Sequence, residues 1–465
     1  MTRRKRFFLF FLLALFFILV TPATIFYSQG YRFDFKNRKV IQTGAFSIKA
    51  WPYGAMVYLD DKLAKKTHFL FGTAFIDGLL PGKYKIEVKK NGYYSWQKNL
   101  EIEKEIATEM KNIFLVPNDI KFQVLADKTG DYFFSPDGKK AILKKAMEKN
   151  WELDILDLEK NNQSLLLLDK DILKEGEKIK SFNLNWSEDS KKILIEITNK
   201  ESKYFALELN RDKKPIPLDF INGNITEVSF NPDNSQRIFF IQKGTERNSL
   251  FSADYNKKEV TGPVLDDILS YKIYNGNLFW LNKDGFIIQS DLSGGKIADL
   301  NLQPFSLREG IKYKVMIFSE EKVFLEEDNN LYFFNNNSQS LEKVLDGVKD
   351  TKISPDLKRA AYFADSEIWI FFLKKVEEQP QKEENEKLFL TRFSGKIDNL
   401  FWWTSHYLIF NSGNQIKIVE TDDRDKLNIY TLADFKNPKI FWNETDEKLY
   451  ILSEGNLYSS EKLIK

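Results

Sequence analysis

One structural unit recurs along residues 120–465, and it limits the fold more than any other feature of the chain. The unit is an apolar strand, a short turn built around Asp, a Lys or Arg, a second apolar strand and, after a gap, a third strand. Clear copies lie at 133–143, 184–195, 228–240 and 353–362, and weaker copies at 271–280, 315–325, 400–410 and 440–451. The copies follow one another at a spacing of roughly 35–50 residues, about the length of a four-stranded propeller blade. The repeat therefore predicts a β-propeller.

The turns contain the residue types that reverse the direction of a strand. Proline presets φ at the second position of the turn, Asp caps the turn through its side chain, and Gly, Asn or Ser allows the reversal. The residues that we assign to these turns are Ser135, Pro136, Asp137, Gly138, Asp189, Pro232, Asp233, Pro355 and Asp356. The strand after each turn is nearly all apolar, as expected where neighbouring blades cover both of its faces.

The number of blades is seven or eight, because one weak copy could be an insertion. The last unit, 438–459, is one strand short, whereas 122–125 precedes the first unit without an obvious partner. We predict that 122–125 supplies the outer strand of the last blade, a closure that removes open sheet edges. The turn motif resembles the Ser-Pro-Asp-Gly-Lys repeat of WD-repeat-like propellers of the Tol-associated type. This resemblance implies the fold and says nothing about function.

Two polar segments interrupt the repeat pattern. Residues 374–387 (KKVEEQPQKEENEK) are highly charged, contain a Pro and lack aromatic residues. They predict a solvated loop between two strands of the sixth unit, with a partner-binding loop as the alternative. Residues 421–425 (TDDRD) offer oxygen ligands for Ca²⁺, but they lack the alternate spacing and the glycine turn of a calcium loop.

The first 28 residues predict a helix that crosses a membrane. Four cations precede about twenty uncharged residues, enough to span a hydrocarbon core of ~30 Å. Because the cations lie on one side only, we expect the N-terminus in the cytoplasm and the rest of the chain outside the plasma membrane. The residues that define this anchor are Arg3, Arg4, Lys5, Arg6, Phe7, Val20 and Tyr27. A cleaved signal peptide and a buried core helix are the competing interpretations, although 21–23 is a poor cleavage site.

Residues 44–117 change to a two-residue period with turn signals between the alternating stretches. Those stretches, 45–50, 56–61, 75–79, 83–89, 96–103 and 109–116, predict a compact antiparallel β-sandwich. The sequences PYGA at 52–55, LPGKYKIEV at 80–88 and NGYYSW at 91–96 resemble a PEGA domain, with Tyr53 in place of Glu. This resemblance implies an exported interaction or spacer module without catalytic activity. Its turn residues are Pro52, Gly54, Ala55, Pro81, Gly82, Asn91 and Gly92.

The composition excludes several kinds of chemistry. Lys and Arg total 69 against 67 Asp and Glu, which argues against a nucleic-acid-binding protein. The absence of Cys excludes disulfides, thiolate metal sites and a Cys nucleophile. The two histidines, His68 and His406, are interpreted as structural, and no hydrolase, zinc-protease, phosphate-loop or dinucleotide motif is present. Clustered Trp402, Trp403 and Trp442 could bind carbohydrate, but packing in the core explains them better.

We therefore expect an all-β chain with four parts: a cytoplasmic tip and transmembrane helix (1–28), a linker (29–43), a PEGA-type sandwich (44–117) and a seven- or eight-bladed propeller (120–465). We assign no catalytic, cofactor-binding or metal-binding residue. The expected function is that of a membrane-anchored extracytoplasmic interaction protein, not an enzyme, that binds an envelope protein or polysaccharide. The alternative is a hydrolase or lyase that acts on envelope polysaccharide in the propeller channel, which convergent carboxylates of perturbed pKa would favour. A purely structural spacer is the third possibility.

Overall fold

The structure is a computed structural model that describes residues 3–35, 38–147, 150–174, 177, 179–209 and 214–464. The chain begins with one long helix, α1 (Arg3–Ser28). Its segment Arg6–Ser28 is long and apolar enough to span a membrane, and its most apolar stretch is not buried against the rest of the protein. The side chains of Arg3, Arg4 and Lys5 lie outside the described part of the structure.

The segment predicted as a linker contains a two-stranded antiparallel hairpin, β1 (Tyr31–Asp34) and β2 (Lys39–Gln42). The hairpin is tied to the end of α1 through Arg32. The Arg32 guanidinium lies 3.5 Å from the centre of the Tyr27 ring and donates a hydrogen bond to the Tyr27 carbonyl. The helix therefore leads directly into folded structure.

Seven strands form a small module of two sheets. They are β3 (Gly44–Trp51), β4 (Met56–Leu59), β5 (Lys62–Lys66), β6 (Thr73–Leu79), β7 (Gly82–Lys89), β8 (Trp96–Ile102) and β9 (Ala107–Phe114). One sheet has the order β5-β4-β7-β8 and the other the order β6-β3-β9, and both contribute to one hydrophobic core. Strands β8 and β9 lie beside each other at one side of the module, and β5 and β6 lie beside each other at the opposite side.

Two features of the module differ from the sequence prediction. β3 pairs with β9 in parallel, whereas an antiparallel sandwich was predicted; the first and last strands of the module meet after a long connection, so no hairpin sets their direction. β5 was not predicted at all. Its sequence, KLAKK, is exposed along its whole length, so it shows none of the alternation that marks a half-buried strand.

Strand β10 (Phe122–Ala126) follows the module, and the sheets of the repeat region follow β10. The first sheet contains β11 (Thr129–Phe134), β12 (Lys140–Ala146), β13 (Trp151–Asp157) and β14 (Asn162–Leu168), and the second β15 (Ser181–Trp186), β16 (Lys192–Thr198), β17 (Ser202–Glu208) and β18 (Ile216–Pro217). The third contains β19 (Asn224–Phe230), β20 (Arg237–Lys243), β21 (Asn248–Asp254) and β22 (Glu259–Asp266), and the fourth β23 (Ile268–Tyr274), β24 (Asn277–Asn282), β25 (Ile287–Asp291) and β26 (Lys296–Asp299). A single 3-10 turn, Asp169–Asp171, follows β14.

The remaining sheets repeat the same order. The fifth contains β27 (Tyr313–Ser319), β28 (Lys322–Glu327), β29 (Asn330–Asn335) and β30 (Ser340–Leu345), and the sixth β31 (Asp350–Ile353), β32 (Arg359–Phe363), β33 (Glu367–Phe372) and β34 (Lys387–Arg392). The seventh contains β35 (Ile397–Thr404), β36 (Tyr407–Ser412), β37 (Gln415–Glu420) and β38 (Ile429–Asp434). The eighth contains β39 (Lys439–Asn443), β40 (Lys448–Ser453), β41 (Asn456–Ser460) and β10.

The early strand β10 closes the set of sheets. It pairs antiparallel with β41, with Phe122 opposite Ser460, as the sequence predicted. Each sheet shares a buried apolar cluster with the next, and a cluster that includes Ala126, Tyr132 and Tyr450 joins the eighth sheet to the first. Successive four-stranded sheets packed in this way have the architecture of a β-propeller.

Candidate functional site

The turns between the first and second strands of the sheets are held by a recurring side-chain pair. In the first sheet, the Ser135 hydroxyl donates to Asp137 Oδ1 at 2.6 Å, and Asp137 also accepts from the Lys139 backbone N–H. The same pairing recurs in Ser187–Asp189 and Ser354–Asp356. The predicted Asp cap is therefore present in these three turns, and the serine two residues earlier, which the sequence interpretation singled out only at Ser135, completes it. In the third sheet the predicted Asp233 is not the cap, because Asn231 Oδ1 accepts from the Asp233 N–H instead.

These turns are also bonded to one another. The Asp137 N–H donates to Ser190 Oγ at 3.1 Å, the Asp356 N–H donates to Ser405 Oγ at 3.1 Å, and the Asn443 amide donates to the Gly138 carbonyl at 2.8 Å. These bonds join the first sheet to the second, the sixth to the seventh and the eighth to the first. The turns on this face of the propeller are here called the rim, and neighbouring turns of the rim are bonded to each other at these three junctions.

The rim aspartates are held in the ionised form. Burial alone would raise the pKa of Asp356, but the Ser354 hydroxyl, the Arg359 guanidinium and the Lys358 N–H together hold that pKa below its ordinary value. Burial would likewise raise the pKa of Asp137 and of Asp189, but hydrogen bonds from a serine hydroxyl and a backbone N–H of the same turn outweigh it, so the pKa of each is lowered. The rim thus carries fixed negative charge, and its carboxylates accept hydrogen bonds from groups of the same turns.

The module is docked on this face through a buried lysine. Lys98, on β8, is fully buried, and its Nζ lies 2.8 Å from Glu420 Oε1. The same ammonium donates to the carbonyls of Asp422, Arg424 and Lys426 at 2.9, 2.7 and 3.0 Å. A charged group from the module therefore fills a polar socket at the end of the seventh sheet.

The Glu420 side of this ion pair is equally well satisfied. Its carboxylate accepts from Trp96 Nε1 at 2.7 Å and from the Asn428 backbone N–H at 2.8 Å. Burial raises the pKa of Glu420, and Lys98 opposes that rise. Two stacked rings, Tyr94 and Tyr430, with centres 5.2 Å apart, extend the contact. The interface combines buried charge with aromatic packing, so module and propeller form one unit.

The acidic segment 421–425 serves this docking. Two of its carbonyls accept from Lys98. Its carboxylates contact Arg424, Lys382 and Asn99. Among the described residues, no group of three or more His, Asp or Glu side chains is arranged to hold a metal ion.

The charged insertion 374–387 leads from β33 to β34 of the sixth sheet, as predicted, and most of its residues are exposed, but several of its side chains are bonded to other parts of the protein. Gln379 Oε1 accepts from the Glu109 N–H of the module at 2.9 Å. Two of its charges are paired with other sheets: Lys382 with Asp423 at 2.9 Å, and Glu384 with Lys322 at 2.5 Å. These contacts were not predicted, because the partners lie far away in sequence. Through them the insertion bridges the module and the fifth, sixth and seventh sheets.

A cleft of about 580 Å³ lies where β9 meets the turns of the sixth, seventh and eighth sheets. Phe114, Trp403 and Trp442 form its apolar part. Trp403 and Trp442 are only 2% and 4% exposed, so their ring faces are not available for stacking on a sugar. Their indole N–H groups are buried without an acceptor among the described residues. Trp402 is buried elsewhere and donates to the Lys352 carbonyl, so packing accounts for all three tryptophans.

The polar part of the cleft is mainly acidic. Its charged lining residues are Asp356, Lys358, Glu378, Glu444 and Glu447. Asp356 is paired with Arg359 at 2.7 Å and Glu447 with Lys462 at 3.5 Å. Glu378 and Glu444 form no ion pair with a described residue; Glu378 accepts only an amide hydrogen bond from Asn112 of β9. The cleft therefore offers two carboxylates to a cationic group.

His406 lines the same cleft but lacks the geometry of a catalytic base. Burial first, and then the nearby Arg359, lower its pKa to about 4. The imidazole is therefore neutral at neutral pH. Within the described residues, its ring makes no hydrogen bond to a serine or a carboxylate, which a catalytic triad requires.

A second cavity, of about 360 Å³, contains a carboxyl group with a raised pKa. It is lined by Glu227, Tyr271 and Lys272, among others. Glu227 has a φ of +52° at an irregularity of strand β19, and the Tyr271 hydroxyl donates to its carbonyl at 2.7 Å. The side chain is reached by solvent, yet the surrounding protein raises its pKa to about 7.

Most of the other sequence-predicted residues lie away from the cleft. The turn residues Pro52, Gly54 and Ala55 connect β3 to β4, Pro81 lies between β6 and β7, Gly82 begins β7, and Asn91 and Gly92 lie between β7 and β8. The three glycines have positive φ values of 75°, 153° and 82°. Phe7, Val20 and Tyr27 are exposed along α1. In the rim, Pro232 borders the second cavity, and Pro355 and Asp356 border the cleft.

The sequence interpretation missed the residues that dock the module. Lys98 occupies an inward position of an alternating strand, between Trp96 and Leu100, which are both buried. A lysine at such a position is rarely buried without a partner, and that was the available signal. Glu420 gave no local signal, because its partner lies 322 positions earlier in the chain.

The chain resembles known β-propellers in its overall trace. It is 12% identical to the C-terminal WD40 domain of Sif2, with a TM-score of 0.48 over 73% of this chain and 97% of that one. It is 10% identical to the Dos1 propeller, with a TM-score of 0.45 over 74% and 95%. An oligogalacturonate lyase in complex with manganese is 12% identical, with a TM-score of 0.41 over 74% and 96%. No protein-family model matches the chain, and no curated protein matches it.

Proposed function

We propose that this chain is a membrane-anchored, extracytoplasmic docking protein with an eight-bladed propeller and a PEGA-type module. In this proposal α1 spans the plasma membrane with its basic end in the cytoplasm, since Arg3, Arg4, Lys5 and Arg6 precede the apolar stretch. The module and the propeller then lie outside the membrane as one unit. The buried Lys98–Glu420 pair supports this rigid arrangement.

The observation that carries the docking function is the cleft between the module and the rim. Three sheets and β9 contribute to it, and hydrogen bonds between the turns fix part of its outline. Unpaired Glu378 and Glu444 suit a protein segment that carries a cationic side chain. We therefore assign the partner's binding to this cleft.

Site-specific cross-linking tests this function. Because the chain contains no Cys, Lys358→Cys gives the full-length protein a single thiol at the cleft for a photoreactive label. Irradiation in intact membranes is expected to yield a defined protein adduct. The pair Glu378→Gln and Glu444→Gln should reduce its yield, because the cationic partner loses both carboxylates.

Two controls make the cross-linking result decisive. The pair Glu377→Gln and Glu383→Gln removes the same charge from exposed positions of the insertion and should leave the yield unchanged. A label at Leu302→Cys, which is 68% exposed on the propeller, should give no such adduct. The docking function is refuted if both probe positions capture the same proteins, or if the two pairs of substitutions act alike.

One observation favours a second function, hydrolysis or elimination on an envelope polysaccharide. Glu227, with a pKa of about 7, has the protonation balance of a general acid or base at neutral pH. If it acts as one, Glu227→Gln should abolish the release of reducing ends from envelope polysaccharide by the full-length protein. Glu188→Gln, at the same cavity, is the matched comparison. Unchanged release in Glu227→Gln would remove this alternative.

A further inference from the structure

The module presents an apolar loop to solvent. Residues 68–72, here called the finger, connect β5 to β6. Within it Phe69, Leu70 and Phe71 are 71%, 56% and 64% exposed. Three consecutive exposed apolar residues at a loop tip are unusual on a soluble surface and indicate contact with an apolar phase or partner.

The finger is a fixed structure. The His68 ring stacks on Phe69 and on Phe71, with ring centres 5.0 and 5.1 Å apart. His68 Nδ1 accepts from the Leu70 N–H at 3.2 Å. Gly72, at φ +67°, ends the loop. A Cβ atom on this residue would lie only 2.5 Å from the Ala50 carbonyl oxygen, so a larger residue does not fit. The apolar side chains are therefore held outward before any contact is made.

A cationic strand runs beside the finger. Strand β5 immediately precedes it and carries Lys62, Lys65 and Lys66, all exposed. Leu63, between them, is 60% exposed. Apolar side chains next to lysines are the combination that binds the interface of an anionic bilayer, since the former enter the headgroup region and the latter contact the phosphates.

The topology places this surface on the side of the module that faces away from the propeller. The propeller contacts the module through β8 and β9, whereas β5 and β6 lie at the opposite side. The other end of β6 lies near the anchor. Arg32 is bonded to the end of α1, and its guanidinium lies 3.5 Å from the point where a Cβ atom added to Gly78 would be. Seven residues of β6 span about 20 Å, so one plane can include the helix end and the finger.

The hairpin next to α1 adds apolar surface of the same kind. Phe33, Phe35 and Val40 are 48%, 84% and 63% exposed, and the two phenylalanine rings are in contact. The two phenylalanines follow the last helical residue, Ser28, by five and seven positions, and Val40 follows it by twelve. The apolar surface therefore begins at the anchor and recurs at the finger.

We propose that the finger and β5 bind the surface of the bilayer that α1 spans, with Phe69, Leu70 and Phe71 in the headgroup region and Lys62 and Lys66 on anionic lipid phosphates. This inference rests on the anchoring in the proposed function. With the β5/β6 side on the bilayer, the module lies flat and directs the propeller away from the membrane. The cleft then faces a partner at a fixed height and tilt.

Fluorescence of single-cysteine proteins in vesicles tests this proposal. The full chain with Leu70→Cys carries an environment-sensitive dye and is reconstituted with brominated phosphatidylcholine, with or without phosphatidylglycerol. The dye at position 70 is expected to shift to the blue and to be quenched by the brominated lipid, more strongly with phosphatidylglycerol. Two reference positions complete the set: Leu13→Cys within α1, which should be quenched, and Leu302→Cys on the propeller, which should not.

The reference positions distinguish a failure of the contact between finger and bilayer from a failure of the anchoring. If Leu13 is quenched and Leu70 is not, the finger does not reach the bilayer and the proposal is overturned while the anchor stands. If neither is quenched, the anchoring itself is wrong. Blue-shifted emission at Leu70 only when other membrane proteins are present would assign the finger to a protein partner and would also overturn the proposal.

A charge reversal tests the role of β5. Lys62→Glu with Lys66→Glu should remove the extra quenching that phosphatidylglycerol causes at position 70. Lys296→Glu with Lys314→Glu reverses the same charge on exposed propeller positions and should not. Equal effects of the two pairs would refute a specific contact between β5 and lipid phosphates.

Discussion

Removal of the Lys98 ammonium should undock the module from the propeller. In Lys98→Met the chain keeps a side chain of similar length, but Glu420 stays buried at 2% exposure without its counter-charge. Three carbonyls also lose a donor. Breaking a buried ion pair from one side costs about 3–5 kcal/mol of stability. We expect a loss in that range, concentrated at the interface between module and propeller.

The loss should depend on pH. Burial raises the pKa of Glu420 above its ordinary value, so the folded state binds a proton more readily than the unfolded state, and this group's contribution to stability falls as pH rises through the folded pKa. Without Lys98 the carboxylate is harder still to ionise. The difference between Lys98→Met and the wild type should therefore be larger at pH 8 than at pH 5, since Glu420 can be neutral at the lower pH.

Urea unfolding of the full chain in detergent, followed by tryptophan emission, measures the loss. Trypsin cleavage near residues 117–121, between module and propeller, reports undocking directly. Lys85→Met, whose ion pair with Asp61 is exposed, is the matched control and should change little. Adding Glu420→Gln to Lys98→Met should restore part of the stability, because the buried charge is gone. If Lys98→Met unfolds and is cleaved like Lys85→Met, the buried ion pair does not hold the interface.

Three further outcomes follow from local structure. Gly72→Ala should destabilise the protein more than Gly92→Ala in thermal unfolding, since both have positive φ but only Gly72 lacks room for a Cβ atom; equal losses would contradict this. Ser354→Ala, at a buried turn, should cost about 1–3 kcal/mol in urea unfolding, whereas the exposed Ser338→Ala should cost almost nothing. His406, whose pKa falls from 6.5 to about 4 on folding, should contribute up to roughly 3 kcal/mol of stability at neutral pH. That contribution is lost as pH falls from 6.5 to 4, and His406→Gln should flatten the stability profile in that range; an unchanged profile would contradict the assignment.

The repeat region was predictable because its signal is local. A turn such as that at Ser135–Gly138 is determined by neighbouring residues, and its recurrence gives the sheets their spacing. The pairing of β10 with β41 followed from counting strands, since one early segment lacked a partner and one late unit lacked a strand. The long apolar helix α1 was evident from hydropathy alone.

The docking of the module was not predictable from these patterns. The partners of Lys98 are more than 320 positions away, and nothing in the acidic segment 421–425 indicates that its carbonyls face a lysine. The contacts of the insertion 374–387 were missed for the same reason, because the charges that pair with it lie far away in sequence. Strand β5 escaped detection because an edge strand rich in lysine lacks the apolar alternation on which strand prediction depends.

The side of the membrane on which the propeller lies is the most direct test of the account. In intact cells that make the full-length Leu302→Cys protein, a maleimide that cannot cross membranes should label this single thiol without permeabilisation. The protein should also stay in the membrane fraction after alkaline carbonate extraction. Labelling that occurs only after permeabilisation, or release of the chain by carbonate, would contradict a propeller anchored outside the membrane.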